Sequence, residues 1–444
     1  MFLHEYIILK FSIFFFLNFS YARSLFKEKH RFSEQYFTRE RCLSFSNLIL
    51  YLLNFRKHSN QVELDQFFQV INQQNKAQQF ITKSAFFQAR KKCKYTAFID
   101  LNHQLIKEIY PTNQQGLKRW RGHRLCAIDG SSIRLPYKPD IINEFGVQKG
   151  RKEQGECAMG MASVYYDVLN HLVIDASINP RKTSEKACAE KHLHFSQDLD
   201  LNLYDRGYNA FWLYAFHHHH QSTFCMRAKT KQSLQVQAFV KSGKKEQIMT
   251  ISPNKTSVKT CQDKGLPSTS IQCRLIRVEL KNEVEVLITN LLDKVQYPVS
   301  CFKGLYHLRW GIEENYKRLK QWLEIENFSG QSALSIRQDF YAKIVALNLT
   351  TLVVISSQNV VSKRKQKCRL KYQVNFAQAL SKMKHKILYL LSITVNKKMF
   401  YNELNKLIEY ISKTIEAVRR GRSFPRKLKN IKNDIHYSQY KSSL

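Results

Sequence analysis

The chain has few acidic residues, few glycines and few prolines for its length. Its 444 residues include 35 Asp and Glu against 71 Lys and Arg, for a formal net charge of +36, and only 14 glycines and 8 prolines. The basic excess favours a polyanionic partner over a merely basic soluble enzyme, with nucleic acid first and an anionic membrane surface second. Because 43% of the residues are apolar, the chain can form two or three globular domains instead of staying disordered.

Cysteine patterns typical of zinc sites and of disulfide frameworks are missing. The ten cysteines are scattered along the sequence, with no C-x-x-C pair and no Cys/His knuckle. Both classes of site are therefore disfavoured. We expect these cysteines to be reduced, as they are in cytoplasmic proteins.

Two apolar segments are similar in part to export or membrane signals. Residues 6–19 are strongly apolar and a small-residue cleavage site follows Ala22, but Lys10 interrupts the run and no cation precedes it. We expect residues 1–24 to be an unstructured or misassigned extension. Residues 337–356 are long enough to span a bilayer, yet three charged residues in their first third favour a buried core helix.

Helical patterns without convincing strands fill residues 25–115. The segment 82–92 begins with the potential N-cap Thr82 and ends in a basic cluster. That cluster comprises Arg90, Lys91 and Lys92, with Lys94 just beyond. A short helix followed by a basic helix is typical of a helix-turn-helix, so we predict a DNA-binding domain here, with the alternative that the cations only complement the helix dipole.

The pattern changes near Gly122, where runs typical of strands begin. An apolar run over residues 125–135 contains Asp129 and predicts a buried strand with a carboxylate in it. The next two runs, 159–166 and 172–178, predict a hairpin beside this strand.

A second aspartate ends a later strand. After a helix that opens at Ser184, the strand 202–205 ends on Asp205, and a glycine turn leads into another helix. Strand patterns then fill residues 221–298, including VQAFV at residues 236–240. This part is predicted to be a β-rich insertion.

The segment 306–320, YHLRWGIEENYKRLK, places four functional side chains on one face if it is a regular helix. They are Tyr306, Arg309, Glu313 and Lys320, at offsets of 3, 7 and 14. Such a face suits a metal beside a phosphate, with the carboxylate on the metal and the cations on the anion. Glu314 points about 100° away, so Glu313 is the predicted inward carboxylate. An ordinary amphipathic helix is the alternative.

Asp129, Asp205 and Glu313 together suit divalent metal ions. Two aspartates on neighbouring strands and a glutamate on a helix supply the oxygen ligands that Mg²⁺ or Mn²⁺ prefers. Two such ions activate an attacking water or 3′-hydroxyl and stabilise the leaving oxygen in a displacement at phosphorus. A lone aspartate at a strand end is more often a cap, so the order of the three carboxylates is the informative feature.

Three blocks of the sequence resemble the signature of the bacterial DDE transposases of the insertion-sequence-four type. They are CAIDGSSIRLP around Asp129, LYDRGY around Asp205, and Y-x2-R-x3-E-x6-K from Tyr306 to Lys320. The resemblance extends from about Thr38 to about Ser332. It implies an α/β fold with an RNase H-like mixed-sheet catalytic core, a β-rich insertion, and helical regions at both ends.

The resemblance also implies a reaction and the residues that perform it. The reaction is cut-and-paste transposition by a cytoplasmic homodimer, which binds double-stranded DNA at terminal inverted repeats and at the target and has no membrane partner. The implied catalytic metal ligands, for two Mg²⁺ or Mn²⁺ ions, are Asp129, Asp205 and Glu313. The implied phosphate contacts are Tyr306, Arg309, Lys320 and Arg206. Some members stack a flipped base on a tryptophan of the insertion. Residues 221–300 contain no tryptophan, so Tyr297 or Phe302 would have to stack on the base instead.

Two alternatives to an active transposase stay open at this point. One is a regulatory or inactive DNA-binding relic of a transposase, and the other is a metal-dependent DNA nuclease that cuts without strand transfer. The predicted domains are a DNA-binding region over residues 25–115, a catalytic core split between 120–220 and 299–356, the insertion over 221–298, and a basic helical C-terminal region over 357–444.

Overall fold

The computed structural model describes residues 23–39, 41–54, 57–72, 81–110, 117–149, 155–280, 283–392 and 396–419. Nearly all of the predicted extension over residues 1–24 and most of the basic tail beyond residue 419 lie outside the described residues.

Helices occupy most of both ends of the described chain. In chain order they are α1 (Arg23–His30), α2 (Phe45–Leu53), α3 (Asn60–Ile71), α4 (Lys83–Arg90), α5 (Thr96–Ile109), α6 (Pro139–Phe145), α7 (Glu185–His192), α8 (Phe211–His219), α9 (Leu234–Lys241), α10 (Lys255–Asp263), α11 (Ser300–His307), α12 (Gly311–Lys317), α13 (Ala333–Arg364), α14 (Phe376–Ser392) and α15 (Lys397–Ser412). Several begin at a cap that the sequence supplies. The side chains of Ser44, Thr82 and Ser332 each accept a bond from a backbone N–H of the first turn.

Within the described chain, nine strands form one mixed sheet and two short strands form a separate pair. The strands are β1 (Arg124–Arg134), β2 (Val147–Lys149), β3 (Glu156–Asp167), β4 (Leu172–Pro180), β5 (Asp200–Tyr204), β6 (Thr223–Ala228), β7 (Glu246–Ile251), β8 (Ile271–Glu279), β9 (Val284–Thr289), β10 (Tyr372–Val374) and β11 (Ile415–Ala417). The order across the sheet is β4-β3-β1-β5-β6-β9-β8-β7, with β2 on the first residues of β3. The separate pair is β10 with β11.

The core of the sheet is the part with the order β4-β3-β1-β5-β6. In it β3 is antiparallel to β1 and to β4, whereas β5 is parallel to β1 and β6 is parallel to β5. This is an RNase H-like mixed sheet, so the predicted fold class is confirmed. Every residue of β5 is buried, as are the first five of β1. Strands covered on both faces tend to be continuous apolar runs, as residues 125–128 of β1 are, whereas β5 (DLNLY) also buries the polar residues Asp200 and Asn202.

The β-rich insertion extends the same sheet. Beyond β6, the strands β9, β8 and β7 are added in antiparallel fashion. The strand predicted at residues 236–240 is wrong, because this segment lies in α9. Ser233 caps that helix by accepting a bond from the N–H of Val236, and Val236 and Phe239 bury their side chains three positions apart, on one helical face. The domain boundaries stay a prediction.

The long helix α13 is a core helix, as the sequence predicts. By length and composition it could cross a membrane, but 72% of its most apolar window is buried inside the protein. It also covers the edge strand β4. The side-chain amide of Asn348 accepts from the N–H and donates to the C=O of Val173, both at 2.8 Å. These bonds satisfy backbone groups that an open sheet edge would leave unpaired.

Arg90, predicted with its neighbours to contact DNA, is buried instead. It is 2% exposed, and its guanidinium donates to Asp339 at 3.0 Å, Gln338 at 2.8 Å and Ser329 at 2.9 Å. The prediction is wrong for this residue because α4 turns its last cation towards α13. Lys91, the next residue, is exposed.

Candidate active site

Asp129 lies in β1, and Asp205 directly follows the neighbouring parallel strand β5. Ala127 of β1 pairs with Leu203 of β5, and each aspartate follows two residues later. Residues two apart in a strand point to the same face, and neighbouring strands are about 5 Å apart. The register therefore brings the two carboxylates to one edge of the core.

The segment that carries the third carboxylate is not the regular helix that was assumed. After α11 ends at His307, a 3₁₀ turn covers Leu308–Trp310, α12 follows, and a π-helical turn covers Arg318–Trp322. Each change of pitch shifts the angle between successive side chains away from 100°. Offsets of 3, 7 and 14 therefore do not define one straight face.

Two tyrosine hydroxyls attach this segment to the strands that bear the aspartates. Tyr306 donates to the carbonyl of Tyr204, the residue before the second aspartate, at 3.3 Å. Tyr316 donates to the carbonyl of Asp129 itself at 2.8 Å. Because Glu313 lies between these two anchors in the chain, it is held close to both strands.

The predicted phosphate contacts differ in how accessible they are. Tyr306 is 5% exposed. Lys320 donates to the carbonyl of Ser132 at 2.7 Å, and burial lowers the pKa of its ammonium. Arg206, which follows the second aspartate, is exposed. In this DNA-free structure, Tyr306 and Lys320 donate hydrogen bonds to backbone carbonyls, whereas Arg206 is exposed to solvent.

Glu313 forms an ion pair with Arg309. The two side chains are 3.0 Å apart, and that of Glu313 is 36% exposed. Arg309 is 6% exposed, and its Nε has no hydrogen-bond partner within the part of the chain that the structure describes. The side chain of Glu314 is 64% exposed. Glu313 is therefore the carboxylate that Arg309 holds against the site, and Glu314 is the more exposed of the two.

Carboxylates are crowded around Asp129. The pKa of Asp129 is raised to about 7, chiefly by burial and also by the charges of Glu185 and Glu313, against the lowering effect of the Gly130 N–H and the Arg309 guanidinium. The N–H of Gly130 donates to Asp129 Oδ1 at 2.9 Å. A buried carboxyl among other carboxylates favours either a proton or a nearby cation.

The Asp129→Asn variant is expected to gain thermal stability over the unsubstituted protein as the pH rises. A carboxyl with a raised pKa in the folded state stabilises the fold below its ordinary pKa of 3.8, and this contribution is lost as the pH rises through about 7. Asparagine is always neutral and avoids that loss. Melting temperatures in EDTA at pH 5 and pH 8 test this, and a difference that does not grow with pH contradicts it.

The donor set suits a divalent cation, although the carboxylates do not converge on one point. Among the described residues, no group of three or more His, Cys, Asp or Glu side chains is close enough to hold a metal ion. Asp129, Asp205 and Glu313 all offer the oxygen ligands that Mg²⁺ requires. An ion bound by all three therefore requires these side chains to move closer together.

Two residues of the site were not identified from the sequence. Tyr316 lies three positions after Glu313, so its place on the same helical face was a usable signal. Glu185 is the first residue of α7. Its carboxylate fills the space beside Gly130, because a Cβ added there would lie 2.9 Å from Glu185 Oε1.

Neither aromatic residue that was expected to receive a flipped base is accessible, so that expectation is wrong. Phe302 is fully buried, and the guanidinium of Arg274 lies 5.3 Å from its ring centroid. Tyr297 is 6% exposed and stacks on Trp120 at 5.9 Å between centroids. Both rings pack in the core and leave no face for a base.

Comparison with known proteins identifies relatives. Transposase InsG for insertion sequence element IS4 of Escherichia coli (strain K12) is 24% identical over 289 residues, which cover 62% of this chain and 62% of that protein. The chain therefore spans less than two thirds of the length of this relative. InsZ of the same strain is 28% identical over 109 residues, covering 21% of this chain and 36% of that protein.

A solved structure and a family model complete the comparison. A cryo-EM structure of the piggyBac transposase synaptic complex with hairpin DNA shares 9% identity, with a TM-score of 0.43, over 91% of this chain and 85% of that one. The model of the transposase DDE domain matches residues 120–349, a range that contains Asp129, Asp205 and Glu313. The chain thus belongs to the DDE-domain transposases, of the bacterial IS4 type that its three sequence blocks predict.

Proposed function

We propose that this protein is a cytoplasmic transposase that cuts DNA at the ends of its element and joins those ends to target DNA, acting as a homodimer. The observation that carries this proposal is the placement of Asp129, Asp205 and Glu313 around one edge of the core, with Arg309 beside them. All four residues lie within the family domain.

The residues of the site have distinct proposed roles. Asp129 and Asp205 hold two divalent metal ions, either Mg²⁺ or Mn²⁺. Glu313 is a further ligand. When bound, the metal activates the attacking oxygen and stabilises the leaving oxygen at phosphorus. Arg309, once released from Glu313, pairs with a DNA phosphate through its guanidinium fork. Arg206 offers a second, exposed cation at the same edge.

Tyr306 and Lys320 act next to these groups. Their bonds to backbone carbonyls keep the segment on the sheet. They are also the proposed contacts to the phosphates that flank the cleaved bond. Both roles depend on the same hydrogen-bond donors, so a phosphate competes with a carbonyl for each one.

A basic cleft next to the catalytic segment is the proposed path of the DNA. It has a volume of about 1070 Å³. Its charged lining consists of the cations Lys118, Lys317, Arg318, Lys365, Arg369 and Lys371 and the carboxylates Glu314 and Glu416. Arg318 lies 4.3 Å from the ring of Phe376, which stacks with Trp322 at 5.9 Å. Cations with interleaved aromatic rings are typical of nucleic-acid surfaces.

The Asp129→Ala variant is expected to lose cleavage and strand transfer and to keep DNA binding. Purified protein is mixed with a duplex that carries its own element ends and a supercoiled target, in Mg²⁺ or Mn²⁺, and binding is followed by mobility shift. The contrasting variant replaces Arg369 and Lys371 with glutamine. It is expected to bind more weakly and with a shallower dependence on salt, because it makes fewer phosphate contacts.

Two outcomes of this experiment contradict the proposed function. If the unsubstituted protein binds the ends but does not cut them, it acts as a regulatory relic. If it cuts them and no joined products form on the supercoiled target, it is a nuclease without strand transfer.

A further inference from the structure

The basic cleft that was proposed as the path of the DNA has walls from three distant parts of the chain. The π-helical turn Arg318–Trp322 contributes to one wall, residues of α13 to the second, and the segment 365–376 between α13 and α14 to the third. The tip of the β3–β4 hairpin, at residues 169–171, also lines the cleft. Glu314 is part of this lining and Glu313 is not, so the cleft is a different surface from the one that carries the catalytic carboxylates.

One aromatic ring of the cleft is held in a fixed orientation and stays accessible. Trp322, the last residue of the π-helical turn, is half-buried and stacks on Phe376, with 5.9 Å between the ring centroids and 27° between the ring planes. The guanidinium of Arg318 lies 4.3 Å from the centroid of the same Phe376 ring. Phe376 is only 7% exposed, so it supports both groups from within the protein. The cleft thus presents an aromatic ring and a cation side by side.

A buried hydroxyl in the wall of the cleft is unsatisfied. Thr351 of α13 lines the cleft and is 1% exposed, and its Oγ1 has no hydrogen-bond partner in the described part of the chain. The adjacent Thr350 shows the common alternative in a helix, because its hydroxyl donates to the carbonyl of Ala346 at 2.9 Å. A buried hydroxyl without a partner costs free energy, which a polar ligand in the cleft can recover.

The charges of the cleft favour an anionic ligand. Five cations of its lining are exposed, namely Lys118, Lys317, Lys365, Arg369 and Lys371. Of the two carboxylates in the lining, that of Glu416 accepts hydrogen bonds from the side-chain amides of Gln373 at 2.7 Å and Asn375 at 3.2 Å. Burial, Arg318 and Lys118 lower the pKa of His171 to about 3, so at neutral pH its imidazole adds an uncharged polar group to the lining.

This combination of groups suits an unpaired DNA strand better than a duplex. In a duplex the bases are stacked on one another, and a protein contacts phosphates, sugars and the edges of the bases in the grooves. An unpaired strand exposes the faces of its bases, which stack on aromatic side chains while cations bind the backbone. A hydroxyl such as that of Thr351 can both donate to and accept from the edge of such a base.

We propose that the cleft binds an unpaired segment of a DNA strand, with a base stacked on Trp322, the edge of a base bonded to the hydroxyl of Thr351, and phosphates on Arg318 and the exposed cations. This inference rests on the proposed function and narrows the DNA in this cleft from a duplex to a single strand. A free nucleotide offers the same chemistry with one base, so the length of the ligand distinguishes the two sources.

The fluorescence anisotropy of a labelled oligo-dT, titrated with the full chain in EDTA, tests this proposal. Trp322→Ala is expected to weaken binding by about tenfold or more, because the stacking of a base is lost. Trp322→Phe keeps an aromatic face and should recover most of the affinity. The matched control is Tyr410→Ala, which removes a 54% exposed ring that lies 3.8 Å from Lys382 Nζ but outside the cleft. It should leave binding unchanged.

A second variant and a crosslink test the proposal without removing Trp322. Thr351→Val keeps the shape of the side chain and is expected to weaken binding of oligo-dT by about three- to tenfold. Its melting temperature should not fall, since the lost hydroxyl had no partner, and a clear fall overturns the role of Thr351. Oligo-dT that contains 5-iodouracil should crosslink under ultraviolet light to the peptide that carries Trp322 in the unsubstituted protein. Attachment only outside the cleft overturns the proposal.

A duplex with the element end and thymidine monophosphate are the comparison ligands. Trp322→Ala is expected to change the affinity for the duplex by less than about threefold. If it weakens duplex and oligo-dT equally, or weakens neither, the inference is overturned and the proposed function stands. If thymidine monophosphate binds as tightly as oligo-dT, the cleft is a nucleotide site and the inference is again overturned. If the unsubstituted protein binds neither DNA, the proposed function fails as well.

Discussion

Glu313→Gln is expected to lower the rate of DNA cleavage by roughly a thousandfold or more, whereas Glu314→Gln changes it by less than about threefold. Glutamine still accepts the hydrogen bond from Arg309, so the local fold is retained, but it carries no negative charge for a metal. Glu314 is mostly exposed, and its contact with Lys317 at 3.9 Å is a surface pair of small energetic value.

Each variant is the control for the other, because both replace a glutamate with a glutamine at adjacent positions. Cleavage of a labelled element-end duplex gives the rate, and mobility shift gives the affinity for DNA, which should be similar for both. Equal loss of cleavage in the two variants would show that α12 presents both carboxylates to the site. The placement of Glu313 against Arg309 would then be wrong for the DNA complex.

Asp339→Ala is expected to destabilise the protein by about 3–5 kcal/mol, because it leaves the buried guanidinium of Arg90 without a counter-charge. The side chains of the pair are 3% and 1% exposed, and Asp339 also accepts from the N–H of Ser329 at 2.6 Å. The pair connects α4 to α13, so its loss should loosen the N-terminal helices from the core. Urea unfolding followed by circular dichroism measures the change.

An exposed ion pair of the same kind is the control for this prediction. Glu409 pairs with Arg364 at 2.6 Å, with both side chains 48% exposed, and Glu409→Ala should cost about 1 kcal/mol or less. The double variant Arg90→Met with Asp339→Leu should recover most of the lost stability, because it removes both buried charges. A double variant no more stable than Asp339→Ala would show that the loss comes from packing instead of from the unpaired charge.

The sequence predicts the core of this fold well, for local reasons. The strand around Asp129, the β3–β4 hairpin and the strand before Asp205 are visible because buried strands need apolar runs and tight turns between them. The cap at Thr82 is an equally local signal. All of these depend on residues within a few positions of each other.

Two kinds of wrong prediction concern contacts between distant parts of the chain. Arg90 has the sequence context of an exposed helix end, and only its packing against α13, nearly 250 positions later, makes it a core residue. Phe302 and Tyr297 are aromatic residues near a predicted insertion, and only the tertiary packing decides that both are buried. The local sequence pattern around a residue does not show whether another element of the fold covers that residue.

For the candidate site, the sequence alone determined which three carboxylates are predicted, Asp129, Asp205 and Glu313, and their order, because each lies in a recognisable local context. The tertiary structure decided what surrounds them. It placed Glu185 against Gly130 and paired Glu313 with Arg309, and it broke the segment 306–320 into turns of different pitch. The reason is physical: a residue's type and its neighbours fix its chemistry, whereas its charge state and partners depend on groups that only folding brings within a few ångströms.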